Sequence, residues 1–413
     1  MLVLTGCTSS GAGSADGDVT LDLVWWGDTE RAAQTNAAIE IFEEKNPGIT
    51  VVTEYQDSAP YRDKLATRFA GGNPPDVMAM PNRSLMEYSE RGALADLNEF
   101  PDQLDTSVIP ESVLTSGSID GHLYGLATGL TTIGVALNKT VTDDAGITIP
   151  NDLTWTWEEF ADFSIEISEK TDGKIYGTGY NPSVETYVMI YTRQQGEDFY
   201  TEDNKLGVSE TTMRNWFQYV NDLRDAGGYP RAGFFEQQGQ SPAQSYLALG
   251  TIASQFIPVN NFQAYNEASG GNLVLLRLPG ETGSERAGYS IDPSQLWSVA
   301  AKSEHPEEAA LLVDFLTNDK EGAAELLTQR GLPINPDVAE SITAQLSADD
   351  QTFVGFITDL QESELPSNYV YPAGAATVAD ILIQVSTELE FGRLTPAEAA
   401  KKFVTEATAA IGE

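Results

Sequence analysis

The apolar positions of the chain change period repeatedly, and each change marks an element. "VTLDLVWWG", starting at Val19, has the β-branched and aromatic content of a strand that ends at Gly27. In "DTERAAQTNAAIEIFEEKNPG" the spacing turns helical: Ala38, Ile41 and Phe42 share a face, Asp28 or Thr29 offers a cap, and Asn46, Pro47 and Gly48 stop the run. "ITVVTEYQ" predicts a second strand, "PYRDKLATRFAGG" a helix with Tyr61, Leu65 and Phe69 toward a core, and "PDVMAM" a third strand. Pro74 and Pro75 end that helix and push the residue before each toward extended geometry, which leaves Asp76 to bond backbone amides at the strand entrance. Strand, helix, strand, helix, strand is the order of a parallel sheet wrapped by crossover helices. Ligands collect at the carboxyl ends of such strands, here Trp25 to Asp28, Gln56 to Ser58 and Met80 to Arg83.

Further along, "GHLYGLATGLTTIGVALNK" carries the Gly and Thr spacing of an extended segment that crosses between domains. A helix starts at Thr156 in "TWTWEEFADFSIEISEK", with Trp157 packed beneath it. "YGTGYNPSVETYV" puts Tyr180, Asn181 and Glu185 near a turn, just before the helix bearing Tyr187 and Tyr191. Met213, Trp216, Phe217, Val220 and Leu223 recur at helical spacing and predict a core face. "SQLWSVAAKSEHPEEAALLVDFLTNDKEGAAELL" reads as a short strand and two helices, with Pro306 near the first helical position.

Composition narrows what these elements serve. At 413 residues the chain exceeds one ordinary core, so two domains are expected. Its 62 acidic against 23 basic residues give a net charge of -39, which repels phosphate backbones and excludes nucleic acid as a partner. His122 and His305 lie far apart and Cys7 is the one cysteine, so neither an internal disulfide nor a zinc site is expected. No dinucleotide fingerprint, Walker loop, nucleophile elbow or EF-hand loop occurs, so no cofactor or metal is expected. Leu4, Thr5, Gly6 and Cys7 resemble the lipobox of bacterial lipoproteins, in which the cysteine is acylated, and a Gly/Ser tether follows. No later segment is apolar enough to span a bilayer, so an exported, lipid-anchored body is expected.

Several segments, in this order, resemble the extracellular solute-binding proteins of bacterial ABC importers, in particular the sugar-binding family that includes maltose-binding protein. The resemblance rests on the strand ending in Trp25 and Trp26, then "FEEKNPGITV", "LATRFAGGNPPDVMAM", "RGALADLNEF", "DGHLYGLATGLTTIGVALNK", "TWTWEEF", "LALGTIASQF", "LWSVAAKSEHPEEAALLVDFLT", "RGLPINPD" and "GRLTPAEAAKKF". It implies an α/β fold of two discontinuous lobes with a hinge, periplasmic-binding-protein-like of type II. The expected division is a tether over 1–17, an N-terminal lobe from 18–127 and 290–335, and a C-terminal lobe from 128–289 and 336–413. It further implies a non-enzymatic, monomeric receptor that holds a carbohydrate between its lobes, meets the transmembrane subunits of a permease, and is anchored through lipid on Cys7 to the outer face of the cell membrane.

A sugar site needs aromatic plates for C–H faces and planar amides, carboxylates or guanidinium groups for hydroxyls. First-lobe candidates are Trp25, Trp26, Asp28, Asn82 and Arg83. Strand alternation sends one tryptophan of the pair into the core without saying which, and Asp28 either caps its helix or meets ligand. Met80, Asn82 and Arg83 replace the family's local Trp, His and Asp pattern, so no maltose assignment follows. Carried from the second lobe are Tyr180, Asn181, Glu185, Asn260, Asn261 and Tyr371, the last either a plate or a packed tyrosine. Trp297 matches a family tryptophan close to the cleft and is expected to stack on the sugar, while Thr131 either bonds a hydroxyl or satisfies backbone. Two other readings remain open: a secreted carbohydrate-cleaving enzyme, which needs a carboxylate pair across the cleft, and the same fold around a polyamine, metal chelate or peptide.

Overall fold

The computed structural model describes residues 18–234, 241–362, 365 and 370–412. Cys7 and the tether therefore lie outside the described residues. β1 (Val19–Trp26), α1 (Thr29–Lys45), β2 (Ile49–Gln56), α2 (Ser58–Ala70) and β3 (Val77–Met80) follow one another as the apolar periods predict. β1 pairs in parallel with β2 from Val19 opposite Ile49 to Trp26 opposite Gln56, and with β3 at Leu23 and Val24. Asp76 fixes the entrance to β3: one carboxylate oxygen accepts from the Asp22 amide at 2.8 Å and the other from the Ser303 hydroxyl at 2.6 Å.

The sheet is not purely parallel. Leu296–Val299 returns from far along the chain and pairs antiparallel with β3, and Leu126–Ala127 pairs on its other side. Among the described residues this makes five strands, and their inner residues join α1 and Pro306–Asn318 in one core containing Phe42, Trp25, Trp297 and Phe315. A second core surrounds a three-stranded sheet in which Ile133–Asn138 lies between Ser254–Pro258 and Leu273–Leu276. Helices pack over it as the sequence predicts: Thr156 caps Trp157–Lys170 through a reciprocal bond with Glu159, and Glu210–Asp225 buries Met213, Trp216, Phe217, Val220 and Leu223.

Among the described residues three passages of chain link the two cores. Leu130–Thr131 pairs antiparallel with Asp292–Pro293, and Leu130 exchanges amide bonds of 2.8 Å with Leu332. At Gly331 the backbones approach so closely that a side chain is excluded. Gly331 has φ +105°, and a Cβ there would stand 2.5 Å from the Leu130 carbonyl oxygen. Gly331→Ala is therefore expected to destabilise the protein by about 1–3 kcal/mol, seen as a lower urea midpoint; an unchanged midpoint would mean that the crossing relaxes around the methyl group.

Candidate functional site

The carboxyl ends of β1 and β3, the crossing strands and the N-terminal end of the helix Glu185–Gln194 converge on a cavity of about 290 Å³. From the first sheet come Trp26, Arg31, Asn82 and Arg83. Thr131 stands at the crossing, and Glu185, Asn260, Asn261 and Tyr371 complete the opposite wall. A second cavity of about 270 Å³ shares Trp26, Arg31, Asn260 and Asn261 with the first and adds Asp28, Asp57 and Tyr265. The shared residues make the two one groove.

The groove is held by hydrogen bonds among its own lining residues, with Tyr61 and Tyr200 behind them. Trp26 is half-buried with its ring 5.4 Å from Tyr61, whose hydroxyl is anchored to the Ala79 carbonyl at 2.8 Å. The Trp26 carbonyl accepts from Gln295 Nε2 at 3.1 Å and Arg31 Nη1 at 3.3 Å. Arg31 also donates to the Gln329 carbonyl at 2.8 Å, and burial pushes its pKa down while the charge of Asp28 pulls it back up. Asn82 donates to the Pro293 carbonyl at 3.0 Å, and its Oδ1 is buried with no partner among the described residues. The Thr131 hydroxyl donates to Asn260 Oδ1 at 2.8 Å, and Asn260 Nδ2 to the Gln329 carbonyl at 3.3 Å, so the crossing, the floor and the first-sheet side are bonded in series. Glu185 is buried and accepts from the Tyr200 hydroxyl. Burial raises its pKa, against the opposing pull of Arg83 and of that hydrogen bond. Burial likewise pushes the Tyr371 hydroxyl up, and its ring lies 5.5 Å from Tyr200.

A family model of the bacterial extracellular solute-binding proteins matches residues 26–323. The chain belongs to this family. The arabinooligosaccharide-binding protein of Bacillus subtilis is 25% identical over 361 residues, which span 82% of this chain and 79% of that one. The diacetylchitobiose binding protein of Streptomyces coelicolor is 26% identical over 268 residues, spanning 63% and 60%. A periplasmic oligogalacturonide binding protein from Yersinia enterocolitica has the same fold, with a TM-score of 0.84 at 24% identity over 95% of this chain and 98% of its own. The mixed α/β architecture is thus the periplasmic-binding-protein fold, and the protein is the non-enzymatic binding component of an ABC importer.

The solute-binding protein settles which tryptophan of the pair enters the core and places Trp297 differently from the sequence-based expectation. Trp25 is the member of the pair that enters the core: it is fully buried and stacks on Tyr55 at 6.0 Å. Trp297, expected on the ligand, is 1% exposed in the middle of the first sheet opposite Ala79, with the Arg330 guanidinium 4.7 Å from its ring. Tyr180 is also core, stacked on Phe256 at 4.1 Å with the rings parallel within 1°. Asn181 is exposed outside both cavities, its Oδ1 accepting from the Ser183 amide and hydroxyl as a turn cap. Asp28 caps α1, accepting from the Arg31 amide at 2.8 Å, while standing on the wall of the second cavity.

Sequence reasoning missed Arg31, Gln295 and Asp292. Arg31 was findable, because it lies in the first turn of a helix that starts at a strand's carboxyl end. Gln295 and Asp292 carry no such local signal; they reach the cavity because Leu296–Val299 docks beside β3. Asp292 accepts from the Ser290 hydroxyl at 2.8 Å, which itself accepts from Arg193 at 2.8 Å, and burial raises its pKa while Arg193 opposes.

Proposed function

We propose that the protein captures a carbohydrate of more than one sugar unit in the groove between its lobes and delivers it to a membrane permease. The observation that carries this reading is the pairing of Trp26 with a floor of amide and hydroxyl groups, Asn82, Thr131, Asn260 and Asn261, along two joined chambers. An indole offers a flat apolar plate to a sugar's C–H face, and short polar side chains held from behind suit its hydroxyl rim. The oligosaccharide-binding relatives support the same class. In the first chamber, Glu185 and Asp292 are the carboxylates among the described residues, each engaged by a hydroxyl of the protein, and Arg31 and Arg83 beside them disfavour a polyamine there.

The lobes are taken to divide as the sequence predicts, at 127/128, 289/290 and 335/336, so that closure is a rotation about the crossing strands. A sugar that touches both walls stabilises the closed form by its differential contacts, and the closed lobes present the surface that the permease meets. Cys7 is proposed to carry the lipid that keeps this monomeric receptor at the outer membrane face.

A thermal-shift screen of the full chain against mono-, di- and oligosaccharides, with spermidine and a short peptide as controls, tests the reading. A ligand at roughly a hundredfold excess over Kd is expected to add about 2.7 kcal/mol and raise Tm. Oligosaccharides that shift the melt and are recovered intact support it; shifts with the controls alone, or a cleaved sugar, overturn it.

A further inference from the structure

We propose that the groove selects a carboxylated sugar, a uronate unit within an oligosaccharide, and that Arg83 is the residue that receives its carboxylate; this rests on the carbohydrate reading above. Arg83 sits on the turn Asn82–Ser84 directly after β3, half-buried at the cavity wall. Among the described residues it makes no hydrogen bond and no ion pair, although the chain holds 62 acids to 23 bases. Other arginines of this protein take carboxylates where they can: Arg68 pairs with Asp22, Arg91 with Glu87 and Arg286 with Asp198.

The acids nearest to Arg83 do not fill that role. Glu185 feels its charge while its Oε1 accepts from Tyr200, Asp292 Oδ2 accepts from Ser290, and among the described residues neither carboxylate is hydrogen-bonded to the guanidinium. A neutral sugar is satisfied by amides and hydroxyls, which the floor already supplies. A half-buried guanidinium with no hydrogen-bonded carboxylate among the described residues gains charge-assisted bonds when a ligand brings one. Its planar fork matches a planar carboxylate with two parallel bonds. Among the described residues Arg31 Nε, buried on the same wall, has no partner and is a further unused donor, while Asn82 Oδ1, likewise without one, calls for a hydroxyl on the same ligand. A dianionic phosphate fits less well, because Glu185 and Asp292 share the cavity and would repel its second charge.

Calorimetric titration of the full chain with digalacturonic acid, its dimethyl ester, and a sugar phosphate tests this. The acid is expected to bind at least about tenfold more tightly than the ester. Arg83→Gln is expected to erase that preference while leaving ester binding in place, and Arg83→Lys to restore part of it, with the unliganded Tm confirming that both variants fold. Equal binding of acid and ester, equal losses of both in Arg83→Gln, or a preference for the phosphate would each overturn the inference while leaving the carbohydrate reading intact. No binding of these or of neutral oligosaccharides would overturn both.

Discussion

Trp297→Ala is expected to destabilise the protein by about 3–5 kcal/mol, and to leave the ligand affinity of the folded fraction within about threefold, ~0.7 kcal/mol. The side chain is 1% exposed on the strand that pairs with β3 on one side and Leu126–Ala127 on the other, so its removal opens a cavity in the first core. It also uncovers Arg330. That guanidinium is buried without an ion pair among the described residues, lying 4.7 Å from Trp297 and 5.5 Å from Trp25. Burial depresses its pKa well below the usual arginine range, and it donates to Gln295 Oε1 at 3.0 Å and Thr35 Oγ1 at 2.8 Å. Losing one ring face removes a desolvated cation–π contact as well as packing. Urea unfolding and calorimetric titration of the same preparation separate the two quantities. A tenfold or larger loss of affinity at unchanged stability would return Trp297 to the ligand site, where the family resemblance expects it.

The difference between Trp297 and its expected role shows where sequence information ends. β1 to β3 and the two helices between them were legible because their signals are local: β-branched runs, the stop at Asn46–Pro47–Gly48, and the proline pair before Asp76. Gly48 indeed adopts φ +102°, and Asp76 bonds the amide of Asp22 as its position at the strand entrance suggests. The choice between Trp25 and Trp26 was not legible. Alternation assigns faces only when one face is wet, and Leu23, Val24 and Trp25 are buried consecutively because helices and neighbouring strands cover β1 on both sides. Tyr180 was drawn from a polar, aromatic turn, yet its environment is set by Phe256, which arrives from a distant strand. Asn82, Arg83, Thr131, Glu185, Asn260, Asn261 and Tyr371 share one cavity, and all but Tyr371 lie at or beside an element's end, where topology concentrates side chains regardless of which ligand they meet.

Trp26→Ala is expected to weaken binding of the preferred oligosaccharide by about 30-fold or more, ~2 kcal/mol, with a smaller loss of stability than Trp297→Ala. Among the described residues Trp26 is the aromatic residue common to both chambers, so a ligand spanning them passes its ring. Tyr61 packs against it at 5.4 Å with a 49° tilt and is itself tied down through its hydroxyl, which holds the indole in place before ligand arrives. Preorganisation of this kind spares the ordering cost on binding. The bonds that fix Arg31 and Gln295 run to the Trp26 carbonyl, not to its side chain. Truncation therefore removes the plate and leaves the polar frame, and Trp26→Phe is expected to recover part of the affinity by restoring a smaller plate. Unchanged affinity in a folded Trp26→Ala protein would move the apolar contact to Tyr371 or Tyr265 and with it the axis of the sugar in the groove. The two alanine variants thus form a crossed pair: one tryptophan governs whether the sheet persists, the other how tightly its open end holds a solute.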